Sequence, residues 1–257
     1  MSTTVTTRQT YFRPRVSAKT WLTPGMIRIT LSDPSLCSFP GTGIGDEYVR
    51  VHFPFPDGEL PTPAVDAEGN WTYAPGRYPP VAPYTLRRHD AAAGEIDIDF
   101  VMHERGVATE WARGVDVGGE VAFGEPRGLF APPAGATDLV FLTDATGLPA
   151  LARLLEQLSP GTRARCIVEV AEESHRQVLS SPARLGVEWL VGSGNGTGLP
   201  SGLTAAVARL DLAPGSYLWV AGEAGELKAT RRHLKRERGY DPEGHKVIGY
   251  WIDEAAE

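Results

Sequence analysis

The sequence predicts an antiparallel β-barrel followed by a doubly wound lobe on a parallel sheet, and three observations carry that expectation. Up to about residue 130, short runs of alternating apolar and polar residues are separated by clusters of Pro, Gly, Asp and Ser, the pattern of half-buried strands joined by turns. Pro132-Pro133-Ala134-Gly135-Ala136 then breaks the pattern as a linker. Beyond it, apolar strand-like runs alternate with helical ones, which implies a parallel sheet with helices on both faces. The expected boundaries are 1–133 for the barrel and 134–257 for the α/β lobe.

In the first lobe, Met26 to Leu31 and Tyr48 to Phe53 show the period of two that a half-buried strand requires. Phe39-Pro40-Gly41-Thr42-Gly43-Ile44-Gly45-Asp46 is turn-forming, and short strands between such turns close into a barrel or sandwich. Glu95 to His103 reads as a strand and Ala108 to Arg113 as a short helix, with Thr109 near its start. In the second lobe, strands are expected at Asp138–Leu142, Arg165–Val170, Val187–Val191, Tyr217–Ala221 and His245–Trp251. Helices are expected at Leu148–Leu158, Leu203–Arg209 and Glu226–Glu237. Trp111, Trp189 and Trp219 read as core residues.

A chain of 257 residues, 42% hydrophobic and 22% charged, is long enough for two modest domains. Its net charge of −7 argues against non-specific nucleic-acid binding and against a polybasic membrane surface. No apolar run approaches the ~20 residues that span a bilayer, and Met1 to Arg8 lacks the apolar core of a signal peptide. Cys37 and Cys166 fit no metal or redox spacing, so both read as small core hydrophobes of a reduced, cytoplasmic protein. No metal site is expected, because paired cysteines, H-E-x-x-H and clustered histidines are all lacking. His52, His89, His175, His233 and His245 are scattered and read as surface or structural residues.

The segment with the most chemistry runs from Gly76 to Arg88. Its prolines hold the backbone extended and cannot donate to a ladder, and it then presents Tyr84, Thr85 and Arg87. Those are a flat ring, a short donor/acceptor and a cation: the stacking face, the hydrogen bond near a reactive nitrogen and the counter-charge that a flavin dinucleotide needs. An edge strand with an ordinary Tyr-Thr pair is the plainer alternative.

Several motifs together resemble the siderophore-interacting protein family of ferredoxin-reductase-like flavoproteins. Pro83-Tyr84-Thr85-Leu86-Arg87 is similar to its R-x-Y-T-x-R motif. Asp99-Phe100-Val101-Met102-His103 and Gly106-Val107-Ala108-Thr109-Glu110-Trp111-Ala112 resemble D-F-V-x-H and G-P-A-S-x-W-A. Pro126-Arg127-Gly128, Thr143-Asp144-Ala145-Thr146-Gly147-Leu148-Pro149-Ala150, Trp219-Val220-Ala221-Gly222-Glu223 and Gly249-Tyr250-Trp251 follow in the same order. The resemblance implies that the barrel holds FAD, and that the flavin reduces ferric iron in a siderophore with electrons from NAD(P)H or reduced ferredoxin. It also implies roles residue by residue. Tyr84 would stack on the flavin, Thr85 would bond near N5, and Arg87 would neutralise phosphate. Asp99, Val101 and His103 would line the ring and ribityl chain. Gly106, Ala108 and Thr109 would hold the pyrophosphate at a helix start, while Thr146 and Trp251 would approach from the second lobe. Arg50 and Arg127 are the candidate basic groups for an anionic substrate, although Arg127 could equally be an exposed turn arginine.

The chain departs from the pattern at Ala82, Ala145 and Ile252, which replace the first arginine of R-x-Y-T-x-R, the glutamate of D-E-T and the arginine of G-Y-W-R. A related flavoenzyme with a different small-molecule substrate, and a flavin-free binding protein on the same fold, therefore stand as alternatives. Two further features have plain and sharp readings. Gly192-Ser193-Gly194-Asn195-Gly196-Thr197-Gly198 misses G-x-G-x-x-G spacing and reads as a flexible surface loop, with a mobile flap bordering the nucleotide site as the sharper alternative. Lys228, Arg231, Arg232, Lys235, Arg236 and Arg238 make one helix basic: either a solvated face, or a contact for NADPH phosphate or an acidic ferredoxin.

Overall fold

The structure, a computed structural model, describes residues 11–68, 70–103, 106–194 and 197–252. The Met1 to Arg8 segment, and Asn195 and Gly196 of the glycine-rich loop, lie outside the described residues.

Strands dominate the first lobe: β1 (Arg15–Thr23), β2 (Met26–Ser32), β3 (Tyr48–His52), β4 (Ala64–Val65), β5 (Trp71–Thr72), β6 (Val81–Thr85), β7 (Arg88–Asp90) and β8 (Glu95–Val101), followed by helix α1 (Val107–Gly114). β1, β2, β8 and β7 form an antiparallel sheet in that order, and β3 pairs antiparallel with β6. These two pieces join on both sides. Segment 120–127 bridges Phe12 and Arg15 along one edge and Tyr48 and His52 along the other. Opposite, the Arg87 amide donates to the Asp97 carbonyl at 2.9 Å. The sheet thereby closes into a barrel, which protects strand edges that would otherwise pair with other chains.

Alternation decides what fills it. Ile27, Ile29 and Leu31 of β2 meet Val49, Val51, Ile96, Ile98 and Phe100 in one core. Asp97 and Asp99, on the outer face of β8, are also buried, because Arg88 and Arg28 lie over them.

The second lobe contains β9 (Asp138–Thr143), α2 (Leu148–Glu156), β10 (Arg163–Val170), β11 (Arg184–Val191), α3 (Leu203–Arg209), β12 (Tyr217–Glu223), α4 (Leu227–Arg232) and β13 (His245–Trp251). All five strands run parallel in the order β11-β10-β9-β12-β13. Both faces are covered, so β12 is buried at every position. Leu148, Leu151 and Leu155 of α2 pack with Phe141 and Trp219 on one side. Leu203, Val207 and Leu227 pack with Val140, Leu142 and Val220 on the other. The order reverses beside β9, so the crevice at the carboxyl ends of β9 and β12 is where such sheets bind ligands.

Two details differ from expectation, and a third was not anticipated. Cys37 is exposed while Cys166 is buried; Cys37 sits on a 3₁₀ turn, Pro34–Ser38, whose inward position is taken by Leu36. The basic helix ends at Arg232 and continues as a π-helical turn over His233–Glu237. The β10–β11 connection holds only a 3₁₀ turn, Glu173–His175. That connection crosses back to the barrel, where the His175 ring covers Gly25 so closely that a Cβ there would come within 2.8 Å of it. Among the described residues no helix is long and apolar enough to cross a membrane, and no group of three or more His, Cys, Asp or Glu could hold a metal ion.

Candidate functional site

On β6 the pleat points Ala82 and Tyr84 to one side and Pro83 and Thr85 to the other. Tyr84 rests on Phe100, with ring centroids 4.4 Å apart, and meets Phe53 edge-on. Trp111 from α1 wedges against both phenylalanines. Ala82, Tyr84, Met102, Ala108 and Trp111 thus form a half-buried apolar shelf on the barrel core. Burial pushes the Tyr84 hydroxyl above its ordinary range, so its ring is an uncharged face at neutral pH.

The shelf ends at the start of α1. Gly106 adopts φ +133°, and the His103 ring occupies the space a Cβ would need, 2.8 Å away. The first intrahelical bond runs from the Glu110 amide to the Gly106 carbonyl. The amides of Val107, Ala108 and Thr109 therefore have no acceptor within the helix and carry its positive end. A neutral aromatic shelf beside outward-facing amides suits a ring joined to a diphosphate, and these residues fit FAD. The Thr109 hydroxyl faces inward, donating to the Val101 carbonyl at 3.4 Å, so this residue offers a ligand its amide.

Thr85 belongs to the other face. Tyr48 pairs with Thr85 on one side and with Arg127 on the other, so the three side chains project together. Arg50, two residues along β3, joins the same face. Arg13, Arg15, Arg28, Arg77, Arg87 and Arg88 of this lobe each have a carboxylate partner. Arg50 and Arg127 are exposed, and among the described residues neither has one.

From the second lobe come Thr146 and Trp251, and a residue that sequence reading missed holds them together. Asp144, 3% exposed, accepts from the Thr146 amide at 2.8 Å and hydroxyl at 2.5 Å through Oδ1. Its Oδ2 accepts from the Trp251 indole N–H at 2.8 Å. Burial raises the Asp144 pKa, against the lowering effect of these bonds. Tyr250, next along β13, reaches Thr85 across the seam.

Two of the expected ligands have internal partners. Arg87 turns to α2, where its guanidinium meets both Glu156 oxygens at 2.5 and 3.1 Å. Asp99 is held by both arms of Arg28 at 2.7 and 2.8 Å. The seam has further ties in Asp46 and Glu47. Asp46 accepts from the Leu129 and Phe130 amides and from Trp219 Nε1. Glu47 accepts from Arg153 at 2.6 Å, and the same guanidinium donates to the Leu86 carbonyl. An isolated acid in a turn has no periodic signature, so no sequence signal marked these residues.

An aromatic shelf on an antiparallel barrel, followed by a parallel α/β lobe, is the architecture of two-lobed ferredoxin-reductase-like proteins. A ferredoxin NADP+ reductase from Neisseria gonorrhoeae shares the fold alone, at 15% identity, with a TM-score of 0.65 over 94% of this chain and 99% of that one. More specifically, residues 15–130 match the siderophore-interacting FAD-binding domain, and residues 136–254 match the siderophore-interacting protein family description. The crystal structure of a siderophore utilization protein from T. fusca is 31% identical, with a TM-score of 0.86 over 96% of this chain and 94% of that one. An uncharacterized protein of Mycobacterium tuberculosis is 32% identical over 92% of this chain and 88% of its own length. The NADPH-dependent ferric-chelate reductase of Escherichia coli is 29% identical over 90% and 88%. The chain belongs to the siderophore-interacting protein family, and its barrel is a siderophore-interacting FAD-binding domain.

Proposed function

We propose that this chain is an FAD-dependent oxidoreductase that passes electrons from a nicotinamide nucleotide or a reduced ferredoxin to chelated Fe(III). In this reading residues 1–133 hold the flavin and 134–257 form the nucleotide-binding-type lobe. The observation that carries it is the pair of exposed arginines, Arg50 and Arg127, that have no carboxylate partner among the described residues, on the Thr85 face of the FAD-binding barrel. Two exposed cations there attract an anionic chelate to the flavin edge.

FAD, when bound, supplies the redox chemistry, taking up hydride or single electrons and releasing electrons one at a time. The chain's residues bind and orient. Tyr84 offers a neutral stacking face, and Thr85 a hydroxyl near the reactive nitrogen. The amides following Gly106, at Ala108 and Thr109, hold the diphosphate. Val101 and His103 border the ribityl side, with Asp99 fixed beneath them by Arg28. Thr146 and Trp251 cover the ring from the second lobe, tied through Asp144. Arg87, engaged by Glu156, serves the lobe seam before it serves phosphate. No protein acid or base is needed, because reduction itself loosens the chelate: hard oxygen donors hold Fe(III) far better than Fe(II).

The relative from Escherichia coli is named as NADPH-dependent. The exposed face of Lys228, Arg231, Arg232, Lys235 and Arg236 supports either a phosphorylated nucleotide or an acidic ferredoxin. Ala82 and the exposed Ile252 favour a second reading, a flavoenzyme with a less anionic substrate. Anaerobic titration with NADH, NADPH and reduced ferredoxin, followed by flavin bleaching, identifies the donor. Trapping Fe(II) from a ferric siderophore then tests the acceptor, with Arg50→Gln and Arg127→Gln expected to raise KM. Bleaching without any iron reduction supports the second reading. A protein that takes up neither FAD nor FMN overturns both.

A further inference from the structure

Among the described residues the parallel sheet leaves its β11 edge open. β11 is the outermost strand, and it pairs with β10 without a bulge from Arg184 to Val191. The Arg184 amide donates to the Thr162 carbonyl, and the Gly192 amide donates to the Val170 carbonyl. Gly186, Glu188 and Leu190 are in phase with them and also turn their backbone groups to β10. Leu185, Val187, Trp189 and Val191 turn theirs outward, where no strand among the described residues meets them. The opposite edge, β13, is closed off. Arg231 donates to the Val247 carbonyl at 3.3 Å, and Tyr250 reaches Thr85 of the barrel.

β11 also lacks the features that usually blunt an edge. Proline, lysine or a bulge commonly does so, and this strand contains none of them. Its two faces differ. On one, Leu185 and Trp189 pack against the α2 core, while Val187 and Val191 stay 37% and 41% exposed. On the other, Arg184, Gly186 and Glu188 stand in a row and are exposed. Glu188 pairs with Arg209 of α3, and Arg184 has no carboxylate partner among the described residues. A Cβ built on Gly186 would meet nothing within 4 Å.

We propose that β11 is a dimerisation edge, pairing antiparallel with β11 of a second copy of this chain about a two-fold axis at Gly186. Only outward-turned residues can exchange hydrogen bonds, so the axis passes through a residue and not between two. At Glu188 it would set two carboxylates against each other, and at Val187 it would set Arg184 opposite Leu190. At Gly186 it sets Arg184 opposite the partner's Glu188, twice over by symmetry. Leu185 and Val187 then face each other across the axis on the apolar side, and such cross-strand pairs are what stabilise a ladder. Glycine on the axis leaves room for the close approach of a pair without hydrogen bonds. A strand whose exposed face reads cation, glycine, anion is complementary to its own reverse, which selects a second copy over an unrelated strand.

Sedimentation velocity of the FAD-loaded chain at about 1–100 μM tests this, and a concentration-dependent dimer is expected. Val187→Lys puts a charge into the apolar pair, and Arg184→Glu turns both ion pairs into like-charge contacts. Each should weaken the dimer about tenfold or more. In a Cys37→Ser background, Gly186→Cys should form a covalent dimer under mild oxidation, because facing Cα atoms about 4.5 Å apart lie within disulfide reach. Thermal melts and the flavin spectrum check that each variant is folded. A chain that stays monomeric at ~100 μM overturns the proposal and leaves the edge to another protein. A dimer that is indifferent to Val187→Lys, or that leaves the Gly186→Cys thiols unlinked, also overturns it.

Discussion

Asp144→Asn tests the element that ties the terminal strand to the nucleotide-type lobe. The substitution keeps shape but replaces an acceptor-only group with one oxygen and one NH2. In the wild type Oδ1 serves Thr146 and Oδ2 serves Trp251. Whichever way an amide is turned, its NH2 confronts either the indole N–H or the Thr146 amide, and one donor at the site loses its acceptor. That loss costs about 1–3 kcal/mol, offset in part because the burial that raises the Asp144 pKa no longer penalises a charge. A net loss of ~1–2 kcal/mol follows. For 257 residues the unfolding entropy is about 0.5 kcal/mol/K, so Tm should fall by about 2–4 °C. The decisive measurement is a double-mutant cycle with Trp251→Phe, read by thermal melts followed by circular dichroism. The Phe variant removes the indole donor, so it costs stability beside the native carboxylate but relieves the conflict beside the introduced amide. A coupling of ~1 kcal/mol or more is expected. Additive effects, within about 0.3 kcal/mol, would refute the claim that Asp144 holds Trp251.

Arg153→Met leaves the Glu47 carboxylate, 1% exposed, without its guanidinium, and should cost about 3–5 kcal/mol in urea unfolding. Adding Glu47→Gln should recover much of it, and a single-mutant loss below ~1 kcal/mol would mean that water or another group replaces Arg153. Ala82→Arg places a cation on the Tyr84 shelf; a charge-assisted contact of about 1.5–3 kcal/mol should tighten FAD binding by one to two decades. Unchanged affinity in apoprotein titrations would show that the diphosphate lies out of its reach. His52 is neutral in the fold down to pH about 4 but protonates near 6.5 when unfolded. The unfolded state thus binds the extra proton between those values. Stability should be level above pH 6.5 and fall as pH drops toward 4, by at most about 3 kcal/mol. Denaturant midpoints at about pH 7.5 and about pH 5 check this, and the slope should be shallower in His52→Gln.

The strands and helices were legible because burial imposes a period. Ile27, Ile29 and Leu31 alternate against one core, and Phe141, Leu142 and Val220 form the unbroken apolar runs of a two-sided sheet. Tyr84, Gly106 and Trp251 could be singled out as candidates from motifs carrying local geometry. The long-range ties were not legible. Asp46, Glu47 and Arg153, which join the lobes, and Asp144, which acts within the second, reach across 67 to 173 positions of chain, and no local rule links them. Arg87 illustrates the limit: its residue type suits phosphate, but the partner that engages it, Glu156, lies on a helix whose docking no strand pattern specifies. The β4–β5 hairpin, which brings Trp71 over His52, escaped for the same reason, since two-residue strands are too short to show a period.

The passage from β10 to β11, which carries only a 3₁₀ turn, constrains how the molecule can breathe. Residues 171–183 belong to the second lobe by sequence, yet His175 sits on the Gly25 turn of the barrel, and Gln177 donates to the Met26 sulfur at 3.1 Å. The two halves are consequently sewn at a further place besides the 132–136 connection and the ties of the seam. Swinging about that connection as a simple hinge would tear this stitch, whereas sliding along the seam would preserve it. Parting the halves there therefore requires His175 and Gln177 to leave Gly25 and Met26. Any side chain larger than hydrogen at position 25 would hold that stitch ajar.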